Sequence, residues 1–239
     1  MSIVINRIKR TPEVIVQKKE VVASQALGLR ERNKLDKLAR IRSAALELFQ
    51  AKGYEATTTK EIAQVADVAI GTVFMYANDK RDLLFLIFND PLDVVVDNAF
   101  SRVDSRKPLS TQAFEVFSHF YAAFHEQVLL ARLLLRELVF FSEGKQAAQY
   151  MENRRRIIAR LEKMVRDANA KTTIGADVDA SRIANTFFFL YSGEVRLWLS
   201  DETPDLAKGL ASLKATFALL GHGLGEHPTK PSRKRSATS

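Results

Sequence analysis

Cysteine is absent from all 239 residues, and histidine occurs only four times. The first absence excludes disulfides, thiolate nucleophiles and cysteine metal sites together. His119, His125, His222 and His227 never fall at the i,i+4 spacing that sets two ligands on one helix face. No metal and no cofactor is therefore expected. Apolar runs long enough to span a membrane are also missing: the longest candidates, over 128–141 and 187–199, are broken by Arg and Glu. The first ten residues hold basic clusters but no apolar core of signal-peptide length. These absences predict a cytoplasmic chain with no membrane partner. Carboxylates are scattered, so spacing nominates no acid–base pair and no catalytic residue. Gly221, Gly223 and Gly225 follow a helix rather than a strand, which reads as helix termination and not as a phosphate cradle. An enzyme is not expected.

What is present is an ordinary soluble balance, 46% hydrophobic and 27% charged, with a net charge of +8. That excess lies at the ends. Up to Lys34 the chain carries eight basic against three acidic residues, and after Gly225 four against one. A positive surplus of this kind favours a polyanionic partner. Residues 1–33 read as a basic, disordered arm that either reaches phosphates or a minor groove or simply keeps the chain soluble. Residues 226–239 read as a disordered basic tail.

The most organised stretch runs from Leu35 to Leu84. Leu38, Ile41, Ala45, Leu48 and Phe49 recur at three- and four-residue spacing, the stripe of an amphipathic helix. Lys52-Gly53 ends it, because glycine takes the left-handed conformation that closes helices. Thr58-x-x-Glu61 is a capping box, in which hydroxyl and carboxylate satisfy the orphan amides of a helix start. The helix it opens turns Ile62, Ala63, Val65 and Ala66 inward. A second short helix spans Ile70 to Tyr76, and Asp79 can cap a longer one beginning at Lys80. Two short helices buttressed by a longer one form a helix-turn-helix, whose second helix lies in the DNA major groove.

Taken together, these pieces resemble the N-terminal domain of the tetracycline-repressor-like (TetR) family of bacterial transcriptional regulators. The resemblance rests on Ala44-Ala45-Leu46-Glu47-Leu48-Phe49, Gly53-Tyr54, Thr57-Thr58, Glu61-Ile62-Ala63, Gly71-Thr72-Val73-Phe74-Met75-Tyr76, Lys80 and Leu83-Leu84, in order and at the right separations. Departures exist. Asp67 stands where the family usually has a turn glycine, and Asp tolerates the left-handed region better than most residues. Ala69 replaces the usual serine cap, which weakens that cap by about 1 kcal/mol. Phe74 replaces a frequent tyrosine, and Ala77 a bulky aromatic. The resemblance implies an all-α fold: a helix-turn-helix domain over 34–84, and over 85–225 a helical bundle that binds an effector and dimerises. The candidate DNA-binding residues are Thr58, Thr59, Lys60, Ile70, Gly71, Thr72, Phe74, Tyr76 and Lys80. Thr58 can offer hydroxyl and amide to phosphate. Lys80 opens a helix, where a cation sits poorly with the dipole unless a phosphate partners it. With few Arg, Asn or Gln, recognition would lean on thymine methyls and on DNA shape.

Beyond Leu84 the pattern is helical throughout. Pro91 predicts a kink or break near Asn89-Asp90, and Pro108 a boundary. Phe114, Phe117, Tyr121, Phe124 and Val128 form one stripe; Leu133, Leu134, Leu138 and Phe141 continue it to Glu143-Gly144. Residues 145–170 read as a charged helix with Met151, Ile158, Leu161 and Val165 inward, and with Arg154, Arg155, Arg156, Arg160, Lys163 and Arg166 on a solvated face. After a loop around 174–177, two final helices are apolar over much of their surface. In the last, Leu206, Leu210, Leu213, Phe217 and Leu220 alternate at four and three residues, which suits a helix–helix seam. The resemblance implies that the last two helices pair with their copies, which makes these five, with Phe187, Leu190 and Trp198, the candidate dimer interface. Packing within one chain would give the same pattern. Abundant phenylalanine suggests a small-molecule pocket, with Phe117, Tyr121, Phe124, His125, Phe188, Tyr191 and Glu194 as candidate lining, although such stripes also build ordinary cores. The resulting expectation is a homodimeric, sequence-specific regulator. Its partners would be an inverted-repeat operator in double-stranded DNA and an apolar or amphipathic effector that releases it. A nucleoid-type binder without sequence preference, or a helical ligand carrier or enzyme without DNA, remain the alternatives.

Overall fold

A computed structural model describes residues 28–138, 144–169 and 179–225. The arm before residue 28, the expected end of the second stripe at Phe141 and Glu143, the loop around 174–177 and the tail from 226 lie outside the described residues. Within them the chain is helical: α1 Leu29–Ala51, α2 Thr59–Val65, α3 Ile70–Tyr76, α4 Lys80–Ser101, α5 Leu109–Glu126, α6 Val128–Glu137, α7 Ala147–Asn169, α8 Ala180–Ser200 and α9 Leu206–Gly223. No helix among them is long and apolar enough to cross a membrane.

Local signals act as read in the first three helices. Gly53 closes α1 at φ +86 and Asp67 takes φ 51 in the turn after α2. The capping box forms in both directions: Thr58 Oγ1 accepts from the Glu61 amide at 3.2 Å, and Glu61 Oε2 accepts from the Thr58 amide at 2.9 Å. Bonds from Lys52 and Thr58 hold the Glu61 carboxyl down at about 2. A depressed carboxylate stabilises above its ordinary range, and the contribution fades as pH falls toward 2. Ala69 gives α3 no side-chain cap, whereas Asp79 caps α4. One boundary moves. α1 begins at Leu29, ahead of the expected start near residue 34, because Gly28 takes the N-cap and the charged residues after it are good helix formers.

α4 runs unbroken through Pro91, contrary to the expected interruption. It is buried on most of its circumference from Leu83 to Asn89 and packs against α1, α5 and α7. Tertiary packing thus outweighs the lost hydrogen bond. α5 and α6 divide at Gln127, the break that sequence spacing could not place. On α7 the buried residues are Ala147, Asn153, Ile157, Leu161 and Val165, while Met151 and Ile158, expected inward, are half-buried. Nor is its basic run simply solvated. Arg156 pairs with Asp93 and Asp97 of α4, and Arg160 reaches Asp97 at 2.8 Å.

The last two helices close the core with aromatic rings. Phe117 stacks on Tyr191 at 4.2 Å, Tyr121 on Trp198 at 4.7 Å, and Phe187 meets Phe217 edge-on at 5.0 Å. Trp198 donates its indole N–H to the Asp205 carbonyl at 2.9 Å and lies flat against α9 where Gly209 leaves room. A Cβ at Gly209 would stand 2.6 Å from Trp198 Cδ1. Gly209→Ala gains about 1 kcal/mol of helix propensity but overpacks by about 1–3 kcal/mol and strains an indole hydrogen bond that contributes about 1 kcal/mol. The expected outcome is a net loss of about 1–2 kcal/mol in urea unfolding, and unchanged or raised stability would contradict this packing.

Candidate nucleic-acid interface and cavity

The helix-turn-helix is held by contacts that consume several of the groups expected to meet DNA. Both the hydroxyl and the amide of Thr58 are engaged with Glu61, so they belong to the cap. Thr59 and Lys60 follow in the first turn, where helix amides have no internal acceptor, and Lys60 is exposed. Lys80 is held within the chain. Its ammonium donates to the carbonyls of Tyr54 and Glu55 at 2.8 and 3.1 Å and sits 4.5 Å over the Tyr54 ring. The cation fastens the α1–α2 loop to α4. Tyr76 is likewise tied, donating its hydroxyl to the Lys34 carbonyl at 3.0 Å. That contact sets the basic start of α1 beside the end of α3.

Ile70, Gly71 and Phe74 are exposed, Thr72 is half-buried, and Val73 is core. A Cβ at Gly71 would meet nothing within 4 Å, so the chain's own packing does not require glycine there. Two exposed residues escaped the sequence reading: Val65 and Met75, the latter 72% exposed. Val65, expected inward with Ile62, Ala63 and Ala66, is 49% exposed while the other three are buried. Val65, Ile70, Phe74 and Met75 give this short motif an unusually apolar surface, and single exposed apolar residues are common but a group marks contact.

The carbonyl end of α3 is finished from outside the motif. Lys145 Nζ donates to the Phe74 carbonyl, and Gln146 Nε2 donates to the Tyr76 carbonyl at 2.9 Å. Asp82, buried at the start of α4, accepts from the amides of Asn78, Lys145 and Gln146 at 2.8–2.9 Å. Asn89 Nδ2 adds a bond to the Gln146 carbonyl at 3.0 Å. Residues 145–146 lead directly into α7, so one helix is bolted to the end of the motif.

One turn further on, α7 walls a cavity of about 570 Å³ between α4, α5, α6 and α8. Phe124, Phe188 and Tyr191 line it as expected, with Phe120, Leu92, Val96, Ile157 and Val195. The other four candidates do not. Phe117 and Tyr121 are wholly buried in the ring stack, His125 lies 6.2 Å from the Trp198 ring, and Glu194 turns toward α9 to accept from Ser212 and Thr216. Tyr150, Asn153, Ser192, Arg154 and Arg196 supply the polar lining, and no carboxylate is among the lining residues. Burial pushes the Tyr150 hydroxyl up to about 12 against the opposing pull of Arg154 and Arg196. Arg154 packs over the Phe188 ring at 5.3 Å, and Arg196 donates to the Ser192 carbonyl at 2.8 Å. The site is thus an apolar hollow with a positive side.

Four of the candidate interface residues are core of this same chain: Phe187, Leu213 and Phe217 are fully buried and Trp198 nearly so. The four-three stripe of α9 seats against α5 and α8. Leu190, Leu206, Leu210 and Leu220 are half-buried, whereas Leu197 and Leu219 are exposed at 68% and 73%.

Residues 41–87 match the family described as bacterial regulatory proteins, tetR family. HTH-type transcriptional regulator HbdR of Aromatoleum sp. is 45% identical over 51 residues, which are 21% of this chain and 22% of that protein. MftR of Mycobacterium tuberculosis, named as a candidate regulator of mycofactocin biosynthesis, is 28% identical over 189 residues, 77% of this chain and 89% of that one. The crystal structure of Thermus thermophilus FadR, a TetR-family repressor in complex with lauroyl-CoA, superposes with a TM-score of 0.62 at 19% identity, covering 82% of this chain and 98% of that one.

The roles of Met75 and Lys80 separate in experiment. Met75→Glu should lower DNA affinity at least about tenfold while leaving unfolding within about 0.5 kcal/mol, the usual range for a surface change. Lys80→Ala should instead lower stability by about 1–2 kcal/mol through its lost carbonyl bonds and leave the salt dependence of DNA binding unchanged. A Lys80→Ala protein of full stability but flattened salt slope would return Lys80 to a phosphate role.

Proposed function

We propose that this chain, whose residues 41–87 match the tetR family of bacterial regulatory proteins, is a homodimeric repressor of that family. It binds an inverted-repeat operator and is released by a small amphipathic anion seated in the α4–α8 cavity. The observation that carries this reading is the sharing of α7: the helix that walls the cavity also finishes α3 through Lys145 and Gln146. A ligand that moves or stiffens α7 changes the seat of the reading helix. An effector shifts the equilibrium only through its differential affinity for the two states. The cavity's size is that of a ligand site, and its apolar walls with Arg154 and Arg196 favour a hydrocarbon chain bearing a negative group. The lauroyl-CoA held by the T. thermophilus FadR is one molecule of that chemistry.

Dimerisation in this reading uses the outer side of α8 and α9. Leu197 and Leu219 stand beside the polar joint of Glu194 with Ser212 and Thr216, and each exposes most of a leucine. Two copies paired there would set two reading helices on successive major grooves, roughly 34–36 Å apart per helical turn.

The test combines operator selection with linkage. Sequences selected from random DNA should show a dyad, and lauroyl-CoA should weaken operator binding by the same factor by which operator weakens lauroyl-CoA binding. Leu219→Glu should give monomers in sedimentation at micromolar concentration and lose operator binding without unfolding. Selected sites without a dyad, or a fully dimeric Leu219→Glu protein, would contradict the dimer, and an operator affinity indifferent to every amphipathic anion tried would contradict the effector site.

A further inference from the structure

Asn153 lies on α7 in the cavity wall and is 3% exposed. Its Oδ1 accepts from Arg156 Nη1 at 3.1 Å. Arginine has only donors, so this contact decides which end of the amide is oxygen: the reversed amide would turn its NH2 against a guanidinium. Arg156 is itself held, by Asp93 and Asp97 of α4. The orientation of Asn153 is therefore fixed from the α4 side. Its other end, Nδ2, is buried and has no hydrogen-bond partner among the described residues. Much of the lining around it is hydrocarbon, from Phe120, Phe124, Ile157 and Val195. Buried amide donors are normally paired, and here one is left over on a residue that lines a ligand-sized hollow.

We propose that Asn153 Nδ2 donates to an acceptor oxygen carried within the effector, so that the cavity selects acyl compounds and not plain hydrocarbon chains. The ligand is then a carbonyl-containing chain, an ester, thioester, amide or ketone, with its anionic end on the side of Arg154 and Arg196. This rests on the reading of the cavity as the effector site and narrows it. Selection follows from the cost of leaving the donor unpaired: a ligand of equal length without the oxygen buries Nδ2 against carbon. Arg156 makes Asn153 more than a passive wall. Through it the donor connects to Asp93 and Asp97, so the oxygen is read by a side chain anchored to α4 as well as α7.

The experiment compares lauroyl-CoA with its thioether analogue S-dodecyl-CoA, equal in chain length and charge but lacking the carbonyl. Binding is followed by calorimetry on the full chain, with operator binding in the absence of ligand as the control for folding. Wild type should prefer lauroyl-CoA about 10–100-fold, the loss expected for one unpaired buried donor. In Asn153→Leu the preference should collapse to within about twofold, mainly through weaker lauroyl-CoA binding. Asn153→Asp keeps the shape and the Arg156 contact while removing the donor, and should lose the preference likewise, so the result does not hang on how well the leucine variant folds. Equal binding of both compounds by wild type would overturn the proposal and leave the effector site standing. A preference that survived in both variants would also overturn it, since another donor would then read the oxygen. If wild type bound neither compound, nor any other amphipathic anion, the effector site and this proposal would fall together.

Discussion

Asp82 sets its carboxyl group where almost no solvent reaches it, and three backbone amides donate to it. One belongs to Asn78, in the link between α3 and α4; two belong to Lys145 and Gln146, ahead of α7. Bonds to an ionised acceptor contribute about 1.5–3 kcal/mol each, and a buried carboxylate without them would be far costlier than any one of them is favourable. The motif and the start of α7 therefore cannot part without stripping the buried Asp82 carboxyl of its amide donors. Lys145 and Gln146, held in place by those amides, in turn supply the donors that the carbonyl end of α3 needs. This also explains how α3 tolerates Ala69 at its N-cap: its weaker start is offset by a finished end.

From that joint the remaining architecture follows. α7 leaves the joint, walls the cavity, and is clamped to α4 again by Arg156 and Arg160 on Asp93 and Asp97. α4 starts at the motif and passes unbroken through Pro91 into the same wall. Two helices thus run from the reading motif to the cavity, joined at one end by a buried carboxylate and further along by half-buried ion pairs. In the proposed mechanism a change at the cavity would pass through elements that have few ways to deform.

What could be read from sequence was what is decided locally. Thr58 and Glu61 are three residues apart, so their cap was visible, as were the left-handed turn at Asp67 and the start of α4 at Asp79. Periodicity showed that Leu213 and Phe217 are buried, but it carries no information on what buries them: α5 and α8 of the same chain, not a second copy, do so. The partners of Lys80 within the chain, the carbonyls of Tyr54 and Glu55, are not legible in the sequence because they lie a whole helix-turn-helix away. The cavity suffered most. Phe117 and Phe124 share a stripe on α5, yet only Phe124 reaches the hollow, because Tyr191 fills the space before Phe117. Arg154 and Arg156 stand two residues apart in one basic run and do opposite things, one edging the cavity and one clamped to α4. Gly209 mattered only once the Trp198 ring was seen against it.

The central claim is that ligand reaches the reading helix through the start of α7. Lys145→Ala with Gln146→Ala removes both side-chain bonds to α3 but leaves the backbone amides on Asp82 and leaves the cavity untouched. The decisive measurement is operator affinity of this double variant with and without saturating lauroyl-CoA, beside wild type. The variant should still bind both operator and lauroyl-CoA, while the factor by which one weakens the other falls toward one. A coupling factor equal to that of wild type would place the route elsewhere and contradict the account.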